Sequence, residues 1–189
     1  MAAPRSAGAR RRRAARLARD ASRCGRGRDA AAPDRFRRLY VTVVYRLVRR
    51  ERAAEALSGE GARLYGGRWN PPGVPVVYAS ESRALAVLET FVHLTLEARS
   101  MYFELCTIAL PTRARVTRHD EDRPPRSLDV GQDIGRRWVQ EIGTLAFVVP
   151  SALVPHESNY VLNAAHPRFS ELAVRCEPYS FDERLWGRP

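Results

Sequence analysis

Residues 64–70 read Leu-Tyr-Gly-Gly-Arg-Trp-Asn, and Pro71-Pro72-Gly73 follow directly. Two adjacent glycines leave the main chain without Cβ atoms, so that a ligand could approach it closely. Arg68 offers a planar fork of donors that suits phosphate oxygens, and Trp69 offers a flat face for stacking or burial. The stretch therefore predicts either an anion-binding loop or a tight turn whose tryptophan fills the core.

On both sides of this loop the hydrophobic pattern predicts short elements. Strands are expected at residues 40–48, 76–79, 101–110, 145–149, 160–162 and 172–176. Helices are expected near residues 53–57, at 81–96 with Ser80 as N-cap, and from a cap at Asp129 through Glu141. Residues 112–129 are charged and carry Pro124-Pro125, which predicts an exposed loop. Because strands outnumber helices and their connections are short, we expect the α+β class: a single domain with mixed or antiparallel sheets and flanking helices.

The charge of the chain is concentrated at its start. The 189 residues, 44% of them hydrophobic, suffice for one domain with a core, and the formal net charge is +11. Residues 1–40 hold 13 of the 32 basic residues against three aspartates, which leaves 19 basic and 18 acidic residues in the body. The body is nearly neutral, so the overall charge does not identify a nucleic-acid-binding surface.

The first 40 residues lack a sustained apolar face and read as a disordered, arginine-rich arm. A nucleic-acid or membrane-surface tail, an organelle transit peptide, and translated upstream sequence with the true start near Val41 all fit this composition. The sequence therefore divides into residues 1–40, an arm or an incorrectly assigned start, and a domain of residues 41–189.

Several classes of protein and site are disfavoured. The sequence has no apolar run long enough to span a membrane and no apolar core of a secretory signal. The spacing of Cys24, Cys106 and Cys176 fits unpaired thiols in a reducing cytosol, neither a disulfide frame nor a zinc site. Walker-type and Rossmann-type glycine motifs are missing, so any phosphate site is of another kind.

Two polar residues stand out as candidates. Glu89 falls at the border between the apolar and polar sectors of its predicted helix, one turn before His93. A carboxylate there is either partly buried, which requires a partner, or part of a surface ion pair. Ser151 ends a predicted strand near His156, but the Gly-x-Ser-x-Gly motif of hydrolases is missing, so turn formation by its hydroxyl is the stronger local interpretation.

Taken in order, these blocks closely resemble the RES domain family, whose name denotes an arginine, a glutamate and a serine that match Arg46, Glu89 and Ser151. The blocks are Tyr45-Arg46-Leu47, residues 59–70, Val77-Tyr78-Ala79-Ser80, Ala86-Val87-Leu88-Glu89, Val149-Pro150-Ser151 and Glu157-Ser158-Asn159-Tyr160. The resemblance covers residues 41 to about 186. It departs in the first 40 residues and within residues 163–167, where alanine stands at a position that the family often fills with proline.

The resemblance implies a fold related to ADP-ribosyltransferases and a toxin of a bacterial toxin–antitoxin pair. Such a toxin would consume NAD as substrate by breaking the nicotinamide–ribose bond, through phosphorolysis or hydrolysis, with no bound cofactor or metal. The alternatives are ADP-ribosyl transfer to a protein, a nucleic-acid-binding module that acts through the basic arm, and an inactive scaffold that binds the antitoxin.

The resemblance also implies roles for individual residues. Glu89 would stabilise the oxocarbenium charge that develops on the ribose. The guanidinium groups of Arg46 and Arg68 would hold the pyrophosphate. The remaining site residues would position the nicotinamide and its ribose: Tyr78 and Tyr65 by stacking or orientation, Ser151 and Asn159 by hydrogen bonds. In this interpretation Gly66 and Gly67 admit the dinucleotide, and Trp69 braces the wall.

The implied partner is an Xre-like helix-turn-helix antitoxin in a toxin–antitoxin complex that contains a homodimer of this chain. Nucleic acid would then be bound only through the antitoxin, and the protein would act in the cytoplasm without a membrane contact.

Overall fold

The computed structural model describes residues 40–187, except for the side chains of Tyr40, Val41 and Ile142. These residues belong to one compact unit. The predicted arm, residues 1–40, lies outside the described residues except for its last position.

In the part of the chain that the structure describes, one mixed sheet of seven strands organises the domain, in the order β4-β5-β6-β2-β1-β3-β7. The strands are β1 (Tyr40–Arg49), β2 (Val76–Ser80), β3 (Phe103–Pro111), β4 (Val116–Arg118), β5 (Ala146–Pro150), β6 (Ser158–Asn163) and β7 (Ala173–Tyr179). Neighbouring strands pair antiparallel, except β4 and β5, which run parallel. With the helices described next, this arrangement confirms the predicted α+β single domain.

Within residues 40–187, three short α-helices flank the sheet: α1 (Glu60–Tyr65), α2 (Arg83–Phe91) and α3 (Leu128–Arg137). A π-helical turn, Trp138–Ile142, continues α3, and 3-10 helices occupy Arg50–Glu55, Leu96–Ser100, Phe169–Glu171 and Glu183–Trp186. None of the helices in residues 40–187 is long and apolar enough to cross a bilayer.

The structure corrects several predicted boundaries. The N-cap of α2 is Ser82, whose hydroxyl accepts a hydrogen bond from the Leu85 amide at 3.0 Å, so the assignment of the cap to Ser80 is wrong. This helix ends at Phe91 rather than near Leu96. Helix α3 starts at Leu128 and has Ser127 rather than Asp129 at the N-cap position. Residues 112–129 also contain β4, which forms by pairing with β5.

The first part of the Leu64–Asn70 stretch is helical rather than a loop, because its first two residues close the last turn of α1. Gly66 then ends this helix with φ of 69°, a left-handed conformation that glycine adopts without a steric penalty.

The prediction that the cysteines are unpaired is wrong for two of them. Cys106 of β3 and Cys176 of β7 lie directly opposite each other in the sheet register and form a disulfide. They are 70 residues apart in the chain, so their proximity depends on the pairing of these two strands and could not be recognised from a local cysteine motif.

Large apolar side chains fill both sides of the sheet. One cluster places Trp69 and Trp138 against Phe147 of β5, with Trp69 only 3% exposed. Another places Leu47, Phe103 and neighbouring residues against α2. These two clusters hold the loop of Trp69 and helix α2 on one face of the sheet, and a third cluster, with Val44, Val77 and Ile108, lies on the opposite face.

Candidate active site

A polar cavity of about 850 Å³ opens between the sheet, helix α2 and the segment that follows α1. Its wall includes six of the seven residues that the sequence singles out for substrate binding: Arg46, Tyr65, Arg68, Tyr78, Glu89 and Asn159. Its volume falls within the range of about 300–1,000 Å³ that is usual for small-molecule sites. A separate apolar groove of about 500 Å³ between α2 and β7 has Arg83 and Glu177 as its charged residues, and these pair with each other at 2.6 Å. The larger cavity is therefore the candidate active site.

Arg46 projects from the middle of β1 into this cavity. Its Nη1 donates a hydrogen bond to the Tyr78 carbonyl oxygen at 2.7 Å, whereas its buried Nε has no partner among the described residues. Burial lowers the pKa of the Arg46 guanidinium from its ordinary value, since desolvation disfavours the charged form. A buried donor without an acceptor costs free energy, and the residue that carries it also lines the cavity.

Glu89 lies on α2 and is held through one carboxylate oxygen. Its Oε1 accepts hydrogen bonds from the Ser151 hydroxyl at 2.8 Å and from the Asn159 side-chain amide at 2.6 Å. No described residue donates to its Oε2, and no described cation forms an ion pair with it. The partly buried carboxylate of the sequence analysis is therefore observed, with neutral donors as its partners instead of a surface ion pair.

Ser151 is 6% exposed and is not part of the cavity wall. Its hydroxyl also accepts hydrogen bonds from the Leu153 and Val154 amides, each at 3.0 Å. The turn-forming role expected from the local sequence is therefore present, and the same hydroxyl donates to Glu89. Ser151 thus contacts the Glu89 carboxylate from outside the lining residues of the cavity.

The hydroxyl of Tyr78 is fully engaged with the loop that follows α1. It donates to Asn70 Oδ1 at 2.8 Å and accepts from the Trp69 amide at 3.0 Å. Asn70 is fully buried, and its amide donates in turn to three carbonyl oxygens of the same loop region, those of Ala62, Pro71 and Val74. Burial raises the pKa of Tyr78 well above its ordinary value. Only the ring of Tyr78 is left to face a ligand.

Gly66 and Gly67 line the cavity, but the positions that their side chains would take are filled by this chain. A Cβ built on Gly67 would lie 2.6 Å from the Tyr78 hydroxyl oxygen, and one on Gly66 would lie 2.9 Å from Pro72 Cδ. The missing side chains therefore make room for other parts of this chain. Trp69 likewise serves the core, where it packs edge-on against Phe147.

Helix α3 supports this loop from outside. The Gln132 side-chain amide donates to the Gly67 carbonyl oxygen at 3.0 Å, and the Arg68 guanidinium donates to the Pro125 carbonyl oxygen at 3.1 Å. Arg68 is therefore half-buried and directed by a segment that lies 57 residues later in the chain.

The cavity wall contains further residues that the sequence analysis did not assign to a site, among them Tyr45, Ser80, Thr90, Leu128 and Gln132. His93, interpreted as a solvated helix residue, also lines it. Gln132 joins the site only because α3 packs on the loop, a contact that no local motif could have indicated. Tyr65 also lines the cavity and is 82% exposed. In residues 40–187 no three His, Cys, Asp or Glu side chains are grouped to hold a metal ion.

Known proteins share both sequence and fold with this chain. "Prs ADP-ribosylating toxin" of Sphingobium sp. (strain YBL2) is 38% identical over 143 residues, which cover 70% of this chain and 88% of the relative. "Toxin Res" of Yersinia enterocolitica is 35% identical over 150 residues, covering 76% and 99% of the two chains. The "NAD(+) phosphorylase MbcT" of Mycobacterium tuberculosis is 53% identical over a 36-residue segment, 18% of this chain.

The crystal structure of the M. tuberculosis MbcT–MbcA toxin–antitoxin complex contains a chain of the same fold. It aligns with a TM-score of 0.58 and 22% identity over 75% of this chain and 86% of that one. A model of the RES domain family matches residues 43–183, which include the whole cavity wall. This chain therefore belongs to the RES domain family.

Proposed function

We propose that this protein is a toxin that consumes NAD by cleaving the bond between nicotinamide and ribose. The observation that carries the proposal is the convergence of Arg46, Arg68 and Glu89 on one cavity large enough for a dinucleotide. The names of the relatives, which include an NAD(+) phosphorylase and an ADP-ribosylating toxin, support NAD as the substrate.

The two arginines would bind the pyrophosphate of NAD. Arg46 lines the cavity, and its Nη groups keep donors beyond the one given to the Tyr78 carbonyl oxygen. Arg68 is aimed by its bond to the Pro125 carbonyl oxygen and keeps further donors for the same anion. Guanidinium groups suit this task because their planar donor geometry matches phosphate oxygens.

Glu89 would act at the other end of the substrate. When the glycosidic bond breaks, its electron pair leaves with the nicotinamide nitrogen, and positive charge develops on the ribose. A carboxylate beside the ribose stabilises this charge more in the transition state than in the ground state. With Oε1 occupied by Ser151 and Asn159, the other oxygen, Oε2, is the atom offered to the sugar.

The remaining residues would orient the nicotinamide riboside. The ring of Tyr78 and the exposed ring of Tyr65 offer surfaces for stacking, whereas the Tyr78 hydroxyl is engaged elsewhere. Asn159 keeps one amide hydrogen beyond the one given to Glu89 and could donate it to the ribose. Ser151 would act by holding Glu89, since it lies outside the cavity wall.

An oxygen nucleophile then completes the reaction at the ribose carbon. Phosphate would give a phosphate ester of ADP-ribose, and water would give ADP-ribose and a proton. A second candidate function is transfer of ADP-ribose to a protein side chain, favoured by the name of the Sphingobium relative. Both candidates begin with the same bond cleavage and use the same cavity.

We further propose that the toxin acts in the cytoplasm and is held inactive by an Xre-like helix-turn-helix antitoxin, in a complex that contains a toxin homodimer. The toxin–antitoxin complex of the MbcT neighbour supports an antitoxin partner. Residues 41–189 would form the catalytic domain. If the arm is dispensable, a chain without residues 1–40 keeps its toxicity. If the arm is the binding module, the deletion abolishes the effect.

The test is expression in bacterial cells without a partner, followed by measurement of cellular NAD. Wild-type protein should deplete NAD, whereas Arg46→Ala and Glu89→Gln should not. Glu60→Gln and Arg63→Ala are matched controls, because these residues form an exposed ion pair on α1 outside the cavity. Unchanged NAD with well-expressed wild type would refute the proposal. Mass spectrometry for ADP-ribose on cellular proteins separates the two candidate functions.

A further inference from the structure

A chain of three side chains connects strand β2 to the proposed catalytic carboxylate. The Ser80 hydroxyl donates to Asn159 Oδ1 at 2.7 Å, and Asn159 Nδ2 donates to Glu89 Oε1 at 2.6 Å. Ser80 and Asn159 lie directly opposite each other on the antiparallel strands β2 and β6. Ser80 is 3% exposed, and the bond to Asn159 is the hydrogen bond that its side chain makes.

This chain determines which end of the Asn159 amide faces Glu89. An asparagine side chain presents an acceptor oxygen and a donor nitrogen that exchange places when the amide rotates by about 180°. Rotation here would turn Oδ1 toward the carboxylate, where two acceptors repel each other. It would also remove the acceptor of the buried Ser80 hydroxyl hydrogen, which is costly. Ser80 thus favours the one orientation in which Asn159 donates to Glu89.

The same bonds determine which carboxylate oxygen is free. Oε1 receives both neutral donors, the Ser151 hydroxyl and the Asn159 side-chain amide, and no described residue donates to Oε2. A carboxylate fixed through one oxygen presents the other in a defined direction. Such prior orientation lowers the barrier of a step that depends on charge placed within a fraction of an ångström.

We propose that Ser80 is a positioning residue for the NAD-cleaving reaction: by fixing the amide of Asn159, it holds the Glu89 carboxylate in the orientation that acts on the ribose. This inference rests on the proposed function. Ser80 acts through Asn159, so its removal should slow the bond cleavage and leave NAD binding nearly intact.

The test compares Ser80→Ala and Ser80→Thr with wild type in steady-state NAD cleavage by the purified full chain. Ser80→Ala should lower kcat about tenfold with KM within about twofold, the effect of one lost hydrogen bond that acts in the transition state. Ser80→Thr keeps the hydroxyl on a residue that suits a strand and should restore most of the rate.

A double-mutant cycle with Asn159→Ala adds a readout that a purely structural role would not give. If Ser80 acts through Asn159, the Ser80→Ala change should lower kcat no further once Asn159 is alanine. Thr117→Val is the matched control, since it removes a half-buried hydroxyl that bonds Thr144 at 2.8 Å, outside the cavity wall. It should change Tm and leave kcat unchanged.

The outcomes separate the two proposals. Wild-type protein that leaves NAD intact overturns both the function and the role of Ser80. With wild-type turnover present, an unchanged kcat in Ser80→Ala overturns the role of Ser80 alone. The role of Ser80 is also overturned if Ser80→Thr does not restore the rate, or if the effect of Ser80→Ala appears mainly in KM. It is likewise overturned if Ser80→Ala lowers kcat further in the Asn159→Ala background. If Ser80→Ala does not fold, the kcat of Ser80→Cys, which keeps the size but donates weakly, takes its place.

Discussion

Gly135→Ala should destabilise the fold, although alanine is the better helix former. Gly135 lies buried in α3, and a Cβ built on it would approach the Trp69 carbonyl oxygen to 1.6 Å. One turn earlier, a Cβ on Gly131 would lie 2.3 Å from the Arg68 carbonyl oxygen. Helix α3 therefore packs with its backbone directly against the loop that carries these two residues.

The magnitude follows from two opposing effects. Replacing glycine by alanine inside a helix stabilises it by up to about 1 kcal/mol. The added methyl requires the Trp69 main chain to move by more than an ångström, and Trp69 is 3% exposed and packed on Phe147. Overpacking of this kind costs about 1–3 kcal/mol or more. Because the built Cβ comes so close to the Trp69 carbonyl oxygen, we expect a cost near the upper end of that range. We expect a net loss of about 2 kcal/mol in the free energy of unfolding.

Urea titration followed by far-UV circular dichroism measures this loss. Gly61→Ala in α1 is the control, because a Cβ there has no neighbour within 4 Å. It should increase the free energy of unfolding by about 0.5–1 kcal/mol. A Gly135→Ala protein as stable as wild type would show that α3 does not pack on the loop as described.

Three further outcomes follow from individual contacts. Tyr78→Phe leaves the Trp69 amide and Asn70 Oδ1 without their shared partner, so urea titration should show a loss of about 1–3 kcal/mol, and an unchanged value would contradict the bonding described. Burial raises the pKa of Tyr78, so the stabilising contribution of its neutral hydroxyl is complete below about pH 10 and lost above it. The decline in stability above pH 10 should therefore be smaller in Tyr78→Phe; an identical decline would argue against this burial. Finally, replacing Cys106 and Cys176 by alanine opens a 70-residue loop and should lower the free energy of unfolding by at most about 4 kcal/mol. Peptide mapping without reductant should find the two cysteines linked, and finding them separately alkylated would contradict the disulfide.

The strands were the most predictable part of the fold. Residues 145–149, for example, end in two valines and lie between Gly143 and Pro150, and the structure has a strand at each predicted position. Strand β4 was missed because its three residues show no such pattern and become a strand by pairing with β5. Helix α2 was predicted too long because apolar spacing continues to Leu96, whereas the chain turns after Phe91 and buries Ala98 in a separate 3-10 helix.

The residues of the candidate site could be predicted from the sequence, whereas the contacts that hold them in place could be predicted less well. The six predicted residues that line the cavity were identified through the resemblance to a family. The support of that cavity depends on long-range contacts, such as Gln132 with the Gly67 carbonyl oxygen, which leave no local pattern. The paired glycines line the cavity, but the space that their missing side chains leave is filled by Tyr78 and Pro72. Short-range reasoning recognised that these glycines need space and could not tell which group occupies it.

The most direct test of the central claim is incubation of purified protein with NAD, with and without inorganic phosphate, followed by product identification by chromatography and mass spectrometry. Arg46, Arg68 and Glu89 share one cavity, so wild type should release nicotinamide together with ADP-ribose or its phosphate ester, and Glu89→Gln should release neither. Folded wild-type protein that leaves NAD intact under both conditions would contradict the account.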